Sequence, residues 1–263
     1  MLDNFLAETY DAWMSDWPGE IDFYQELAAE EVKSKNGVVL EIACGTLAKN
    51  GAFVVGLDQS PEMLAVACQK SVNIDRVRWV EGDMRSFELN KTFDLIIISS
   101  HSFQNLNNPG DQAACMNCIW RHLKPGGLLL VHLDHMNNEN MRWLGEISAE
   151  KRGEFKDAEQ FKHPHTDLLV QTSRAWSYEP ATQTAIVQTL WEEIGEDGKQ
   201  TRRWDTESIQ LHCVFRFEME HLLKRVEFEI EHFYGNFYRQ ELQDNSTNMI
   251  WLARKANDHS QPC

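Results

Sequence analysis

The chain has 263 residues, with 41 Asp and Glu against 25 Lys and Arg, a formal net charge of −16 and a pI near 5.0. Such a surface repels a phosphate backbone or an anionic bilayer on average, which disfavours nucleic acid and membrane as main partners and leaves a small molecule. No apolar run approaches the ~18–20 residues that a membrane span needs. The opening, MLDNFLAETYDAW, has neither a basic lead nor an apolar signal core, so a cytoplasmic protein is expected.

In chain order, EIDFYQELAAEEVKSKNG places Phe23, Leu27 and Ala28 at helical spacing among acids, and Gly37 ends that helix. Residues 38–43, VVLEIA, read as a buried strand running into a turn at Gly45. Residues 52–58, AFVVGLD, read as the next strand, closed by Asp58. Parallel neighbours need a crossover of roughly 10–12 residues or more. Residues 44–52 offer nine. A helix follows at SPEMLAVACQK, where Ser60 can cap, Pro61 suits the first helical position and Glu62 favours the positive end. VRWVEGDM, FDLIIISS and GLLLVHLD are three more strands, and GDQAACMNCIWRHLKPGG is a helix stopped by Pro125, Gly126 and Gly127. Strands alternating with helices, several of them continuously apolar, imply a doubly wound, mostly parallel α/β sheet.

From about residue 167 to 217 the pattern turns to Thr, Val, Trp and Tyr in alternation, with turns at Glu179-Pro180 and Asp197-Gly198. That is an antiparallel β meander inserted in the α/β domain. RFEMEHLLKRV adds a helix, and VEFEIEHFYG and TNMIWLARK two strands. The expected division is a core of residues 1–135 and 216–263, with residues 136–215 as the inserted subdomain. The six cysteines are scattered, so free thiols are expected; Cys115 and Cys118 sit in a helical run without a second thiol pair and read as packing.

In open parallel sheets ligands bind beyond the carboxyl ends of the strands. Four such ends are informative: the turn at Gly45 after the first strand with Glu41 just before it, Asp58 closing the second, Asp83 and Met84 at the third, and Ser99, Ser100 and His101 at the fourth. An acid at Asp58 can accept from both ribose hydroxyls of a nucleoside, and Asp83 can accept from an adenine amine while Met84 packs on the ring. His101, His132, Asp134 and His135 could suggest a metal. Strand periodicity, however, puts His132 and Asp134 on one face and His135 on the other, so no metal site is assigned.

Taken together, LEIACGT, VVGLDQSPEML, VEGDMRSF, FDLIIISSHSFQNL and HLKPGGLLLVHLD resemble the class I S-adenosylmethionine-dependent methyltransferases, the small-molecule type with a β insertion after the fifth strand. The resemblance covers roughly residues 5–135 and 215–255 and implies a Rossmann-like seven-stranded methyltransferase sheet, S-adenosylmethionine as cofactor and S-adenosylhomocysteine as product. It also implies that Glu41, Ala43, Gly45 and Thr46 flank the methionine part, Asp58 the ribose, Gln59 and Met63 the adenine rim, and Asp83 and Met84 the adenine. Tyr10 in ETYDAW resembles a tyrosine that closes over the cofactor's carboxylate, and Ser99 would hold the ammonium end through its backbone. Ala43 stands where the family has its first loop glycine. The family places about half a dozen further residues between CGT and LAKNG, so chain is expected to be absent between Thr46 and Leu47.

Methyl transfer from a sulfonium needs mainly positioning and exclusion of water. A base matters only when the acceptor must lose a proton, and His101 and His135 are the candidates. The acceptor is expected near Phe103, His135, Tyr178 and His212, with N- or O-methylation both open and the insertion serving as a lid or as an assembly surface for a second copy. A nicotinamide-dependent dehydrogenase would need G-x-G-x-x-G, which ACGTLA does not supply. A non-catalytic binding protein with a degenerate cofactor loop is the alternative from another class.

Overall fold

The computed structural model describes residues 2–14, 17–32, 37–43, 53–149, 154–195, 197–206 and 208–257. The elements run α1 (Leu2–Trp13), α2 (Glu20–Glu31), β1 (Val38–Ile42), β2 (Phe53–Asp58), α3 (Pro61–Lys70), β3 (Val77–Glu81), β4 (Phe93–Ile98), α4 (Pro109–His122), β5 (Leu123–Asp134) and α5 (Asn138–Ala149). They continue with β6 (Lys156–Lys162), β7 (Leu169–Glu179), β8 (Thr184–Ile194), β9 (Gln200–Asp205), β10 (Ile209–His212), α6 (Arg216–Arg225), β11 (Phe228–Tyr234) and β12 (Asn248–Lys255). Among the described residues no helix is long and apolar enough to cross a membrane.

The larger of two compact units, Trp17–Asn137 with Val214–Cys263, holds a seven-stranded sheet in the order β11-β12-β5-β4-β1-β2-β3. β1 pairs in parallel with both β2 and β4, and only β12 runs against its neighbours β5 and β11. Alternate side chains of the same strands feed two cores. Leu40, Ile96, Ile98, Leu129 and Val131 pack with Cys115, Met116, Cys118 and Ile119 of α4 and Met219 and Leu223 of α6. Val39, Leu95, Ile97 and Leu130 pack with Phe23, Tyr24, Leu27 and Ala28 of α2. Each fully buried Leu or Ile stabilises the fold by about 1.5–3 kcal/mol relative to exposure, which is why these strands are apolar on both faces. Cys115 and Cys118 are part of that packing.

Helix starts follow the local chemistry. Ser60 Oγ accepts from Met63 N at 3.2 Å and Pro61 takes the first helical position of α3, while Asn108 does the same for α4 with Asp111 N and Pro109. β5 begins earlier than the expected stop at Pro125 to Gly127. Leu123 pairs with Phe93 and Leu128 with Leu95, so the intervening residues bulge out of register, and Gly126 takes φ 73° to let them.

β1 and β2 are parallel and in register, Val38 opposite Phe53 and Ile42 opposite Leu57, although only residues 43–52 join them. The expected missing chain between Thr46 and Leu47 lies outside the described residues, as do Gly45 and Thr46. The replacement of the family's glycine by Ala43 has a visible consequence: Ala43 has φ 59°, a left-handed conformation that a side chain disfavours.

The smaller unit, Met1–Asp16 with Asn138–Cys213, holds an antiparallel sheet in the order β10-β8-β7-β6, with β9 also on β8. α1 groups with this unit. Its aromatic residues give the reason. Phe5 stacks on Trp204 at 4.4 Å and meets Trp191 edge-on at 5.8 Å, and Trp13 meets Trp191 at 4.8 Å. Arg174 of β7 lies over the Trp13 ring at 4.8 Å. The insertion thus takes its amphipathic helix from the start of the chain.

Ala43→Gly relieves left-handed strain of ~1–2 kcal/mol, offset by ~0.4–1 kcal/mol of extra unfolded-state freedom. A net gain of about 0.5 kcal/mol is expected in denaturant unfolding. A loss of stability would show that the methyl group of Ala43 makes packing contacts worth more than the strain.

Candidate active site

Strand order reverses between β1 and β4, so the crevice for a ligand opens at the carboxyl ends of these two strands. Ser99, just past β4, ties the edge together: its Oγ reaches the carbonyl oxygens of Ile42 at 3.4 Å and Ala43 at 3.2 Å. The Ser99 carbonyl already accepts from Ser102 N at 3.0 Å and Ser102 Oγ at 2.7 Å, so both lone pairs are engaged within the chain. Ser100 and His101 follow with φ 51° and 58°. With Ala43, three non-glycine residues at one strand edge hold a conformation that side chains avoid, and such strain clusters where a site is pre-shaped.

The acids meet the expected cofactor unequally. Asp58 Oδ1 accepts from Ser60 N at 2.8 Å, and the half-buried carboxyl is pushed upward by burial, opposed by the Ser60 and Gln59 amides. Its remaining lone pairs fit two hydroxyl donors. Asp83 is clamped by Arg85: Nε reaches both of its oxygens at 2.9 Å and Nη2 reaches Oδ2 at 2.5 Å, while Arg85 Nη1 goes on to Asp111 at 2.8 Å. The guanidinium holds the Asp83 carboxyl below its ordinary range. An adenine amine would therefore share Asp83 with Arg85, a constraint that spacing alone did not show. Glu41 is completely buried on β1, and Met84 packs at the margin of the core. Gln59 is exposed and Met63 half-buried, one on each side of the Ser60 cap.

His101 and His132 lie together. Their Nε2 atoms are 2.9 Å apart, and His132 Nε2 is also 2.9 Å from Asn248 Oδ1. Trp17 presents its ring edge-on to both imidazoles, at 4.5 Å and 5.0 Å between centroids. His101 Nδ1 lies 3.3 Å from Asp134 Oδ1, and Glu20 Oε1 lies 3.7 Å from His132 Nδ1. Burial, then the neighbouring His132, depress His101 well below the usual histidine range, which keeps its imidazole neutral at pH 7. Burial pushes Asp134 up to about 6, against the opposing effects of His132 and Gln104. Among the described residues no group of three or more His, Cys, Asp or Glu could hold a metal ion.

His135, the other candidate base, is turned away from this cluster. Its Nδ1 lies 2.8 Å from the Ser246 carbonyl and donates to it, which leaves Nε2 as the acceptor nitrogen. Phe103, expected to line an acceptor cavity, is fully buried in the core beneath the 3-10 turn Ser102–Asn105. The turn points Phe103 inward. Tyr178 and His212 belong to the smaller unit, as does Tyr10. Tyr178 pairs with Ala185 and Leu211 pairs with the same Ala185, whereas His212 pairs with Thr184. Adjacent rows point to opposite faces of a sheet, so Tyr178 and His212 do not share one wall. Glu20, Trp17 and Asn248 were not expected at the site, and His132 had entered only in the His101, His132, Asp134 and His135 set, for which no metal site was assigned. The one legible trace was a histidine inside the otherwise apolar run LLLVHLD.

Residues 39–127 match a family model described as a methyltransferase domain. The Bacillus subtilis strain 168 protein YqeM is 32% identical over 137 residues, which are 49% of this chain and 54% of that protein, so the chain spans about half the length of this relative. A Streptomyces fradiae dTDP-3-amino-3,6-dideoxy-alpha-D-glucopyranose N,N-dimethyltransferase is 30% identical over 137 residues, 48% of this chain and 52% of the enzyme. Among solved structures, an S-adenosylmethionine-dependent methyltransferase from Clostridium acetobutylicum ATCC 824 superposes with a TM-score of 0.71 at 17% identity, covering 96% of this chain and 97% of that one. That likeness establishes the fold.

A carboxyl whose folded pKa lies above its ordinary value opposes folding when ionised. For Asp134 the penalty is absent below 3.8, grows between 3.8 and about 6, and is complete above that. Asp134→Asn should therefore raise thermal stability at pH 7.5, by less than about 1 kcal/mol after solvent screening, with no gain near pH 4. Thermal unfolding at the two pH values checks the sign; a gain at pH 4 alone would contradict it.

Proposed function

We propose, taking as premise that the chain belongs to the class I S-adenosylmethionine-dependent methyltransferases, that it methylates the amine nitrogen of a small molecule. The observation that carries the choice of an amine is the pairing of a neutral His101 with the half-exposed carboxylate of Asp134 at the carboxyl edge of the sheet. A carboxylate there attracts an ammonium group and can receive its proton, whereas it would repel a phenolate or carboxylate acceptor. The aminosugar acceptor in the name of the Streptomyces fradiae relative supports the same class.

When bound, S-adenosylmethionine supplies an activated methyl group and a neutral leaving group. Asp58 offers acceptors to the ribose hydroxyls from the end of β2, and Glu41, Ala43 and Ser99 frame the crevice between β1 and β4. Asp83 offers an acceptor to the adenine amine within its Arg85 clamp, and Met84 adds an apolar wall. Asp134 orients the acceptor's nitrogen and removes its proton, and His101 holds Asp134 through Nδ1. These roles require only positioning and a proton acceptor, which suits a reaction whose electrophile is already charged.

Asp58→Ala should weaken S-adenosylhomocysteine binding about tenfold in calorimetry, since its bonds to the ribose are charge-assisted, while leaving the fold intact. Unchanged affinity would remove Asp58 from the site. Incubation of the wild-type protein with S-adenosylmethionine and dTDP-3-amino-3,6-dideoxy-glucose should add one or two methyl groups to the sugar, read by mass spectrometry. Absence of a product at every pH, with S-adenosylhomocysteine still bound, would overturn the aminosugar class.

A further inference from the structure

Asn248 Nδ2 donates to Thr247 Oγ1 at 3.0 Å, which leaves Asn248 Oδ1 as the atom turned to the histidines. Oδ1 lies 2.9 Å from His132 Nε2. An amide oxygen has no hydrogen to give, so at that distance the hydrogen belongs to His132 Nε2. His101 Nε2 lies 2.9 Å from the same His132 nitrogen. Two N–H groups cannot meet there, so His101 Nε2 presents its lone pair, and the His132 hydrogen is shared between that nitrogen and Asn248 Oδ1. Burial and the neighbouring His132 keep His101 neutral, with a single ring hydrogen, and that hydrogen is therefore on Nδ1. Nδ1 faces Asp134 Oδ1 at 3.3 Å, long for a hydrogen bond but common in catalytic pairs before a substrate arrives.

The row is held from the sides and at both ends. His132 is completely buried, with the rings of Trp17 and Phe237 at 5.0 and 4.8 Å from its own. Glu20 Oε1 stands 3.7 Å from the other nitrogen, Nδ1, beyond hydrogen-bond reach, so it does not decide where the Nε2 hydrogen goes. At the outer end Asp134 N donates to Gln104 Oε1 at 3.0 Å, which fixes the backbone from which the carboxylate extends. Asn248 opens β12 opposite Asp134 of β5, and the strand pairing sets the inner end against the outer one.

We infer that Asn248 and His132 are positioning residues for methyl transfer, which hold the hydrogen of His101 on Nδ1 and so keep the Asp134 carboxylate ionised and oriented. This rests on the amine reading above and deepens it. With hydrogen on Nδ1, His101 donates to Asp134 Oδ1, and Oδ2 remains for the acceptor's ammonium group. The opposite tautomer would set the Nδ1 lone pair against the carboxylate. Asp134 would then turn away or carry a proton itself, and a protonated Asp134 cannot take one from R–NH3+. Asn248 and His132 are both buried and act through His101.

Two measurements test it. In ligand-free wild-type protein with 15N-labelled histidine, NMR at pH 7 should show His101 with hydrogen on Nδ1 and a bare Nε2, and His132 with hydrogen on Nε2. Hydrogen on His101 Nε2, or a bare His132 Nε2, overturns the inference whatever the substrate. Asn248→Leu removes the acceptor oxygen while keeping a side chain of similar shape. In this variant the His101 hydrogen should spread over both nitrogens, and kcat with dTDP-3-amino-3,6-dideoxy-glucose should fall about tenfold with S-adenosylhomocysteine affinity unchanged. Asn248→Asp, which keeps an oxygen at that point, should restore the Nδ1 hydrogen and most of the lost kcat. A kcat that survives Asn248→Leu, or a loss that Asn248→Asp does not recover, overturns the positioning role. If the wild type binds S-adenosylhomocysteine but leaves this sugar unmethylated, the choice of acceptor has failed, and the hydrogen positions in the wild type and in Asn248→Leu decide the inference. The wild-type spectra decide it alone if Asn248→Leu does not fold.

Discussion

The architecture of the site follows from one constraint, the burial of β1 on both faces between two parallel partners. A strand in that position has no solvent side, so its five residues must be apolar or, as with Glu41, be satisfied inside the protein. Parallel pairing also forces the carboxyl ends of β1, β2 and β4 to one edge. Ile42, Asp58 and Ser99 are therefore neighbours in space because of the register, whatever joins the strands. The strained residues Ala43, Ser100 and His101 lie where the chain must leave that edge abruptly.

That edge is electrostatically graded. Asp83 stands in a guanidinium clamp and stays ionised well into acid. Asp58 is shaped by backbone amides. Asp134, beside a neutral histidine, is pushed by burial up to about 6. Three carboxylates of one kind thus acquire different chemistry from their surroundings alone, and the one with the most basic oxygen is the one beside His101.

Much of this was legible in the residues. Apolar runs with terminal acids gave the parallel sheet, and Ser60-Pro61-Glu62 gave a helix start, because these patterns are local and their physics is local. The less legible features depend on residues far apart in the chain. Glu20 reads as an ordinary acid at a helix start, and only packing of α2 on the sheet brings it to His132. Asn248 reads as a strand opening. The amphipathic α1 does not say which sheet it covers; Phe5 and Trp13 settle that through Trp191 and Trp204. Tyr178 and His212 looked equivalent as aromatic and polar residues of a meander, and the register through β8 separates them.

The position of β12 has a consequence for how the protein is made. β5 is flanked on one side by β4, which precedes it, and on the other by β12, which is synthesised only after the whole insertion and α6. While the ribosome translates those segments, β5 keeps an open edge of unpaired amides and carbonyls lined by leucines, the kind of surface that invites pairing with another chain. Asn248 arrives with β12. The nascent chain can therefore complete its parallel core and its Asp58 edge early, but the histidine pair acquires its fixed acceptor only when that gap is closed, so translation arrest within the insertion would leave a sheet with an exposed edge and an unfinished histidine cluster.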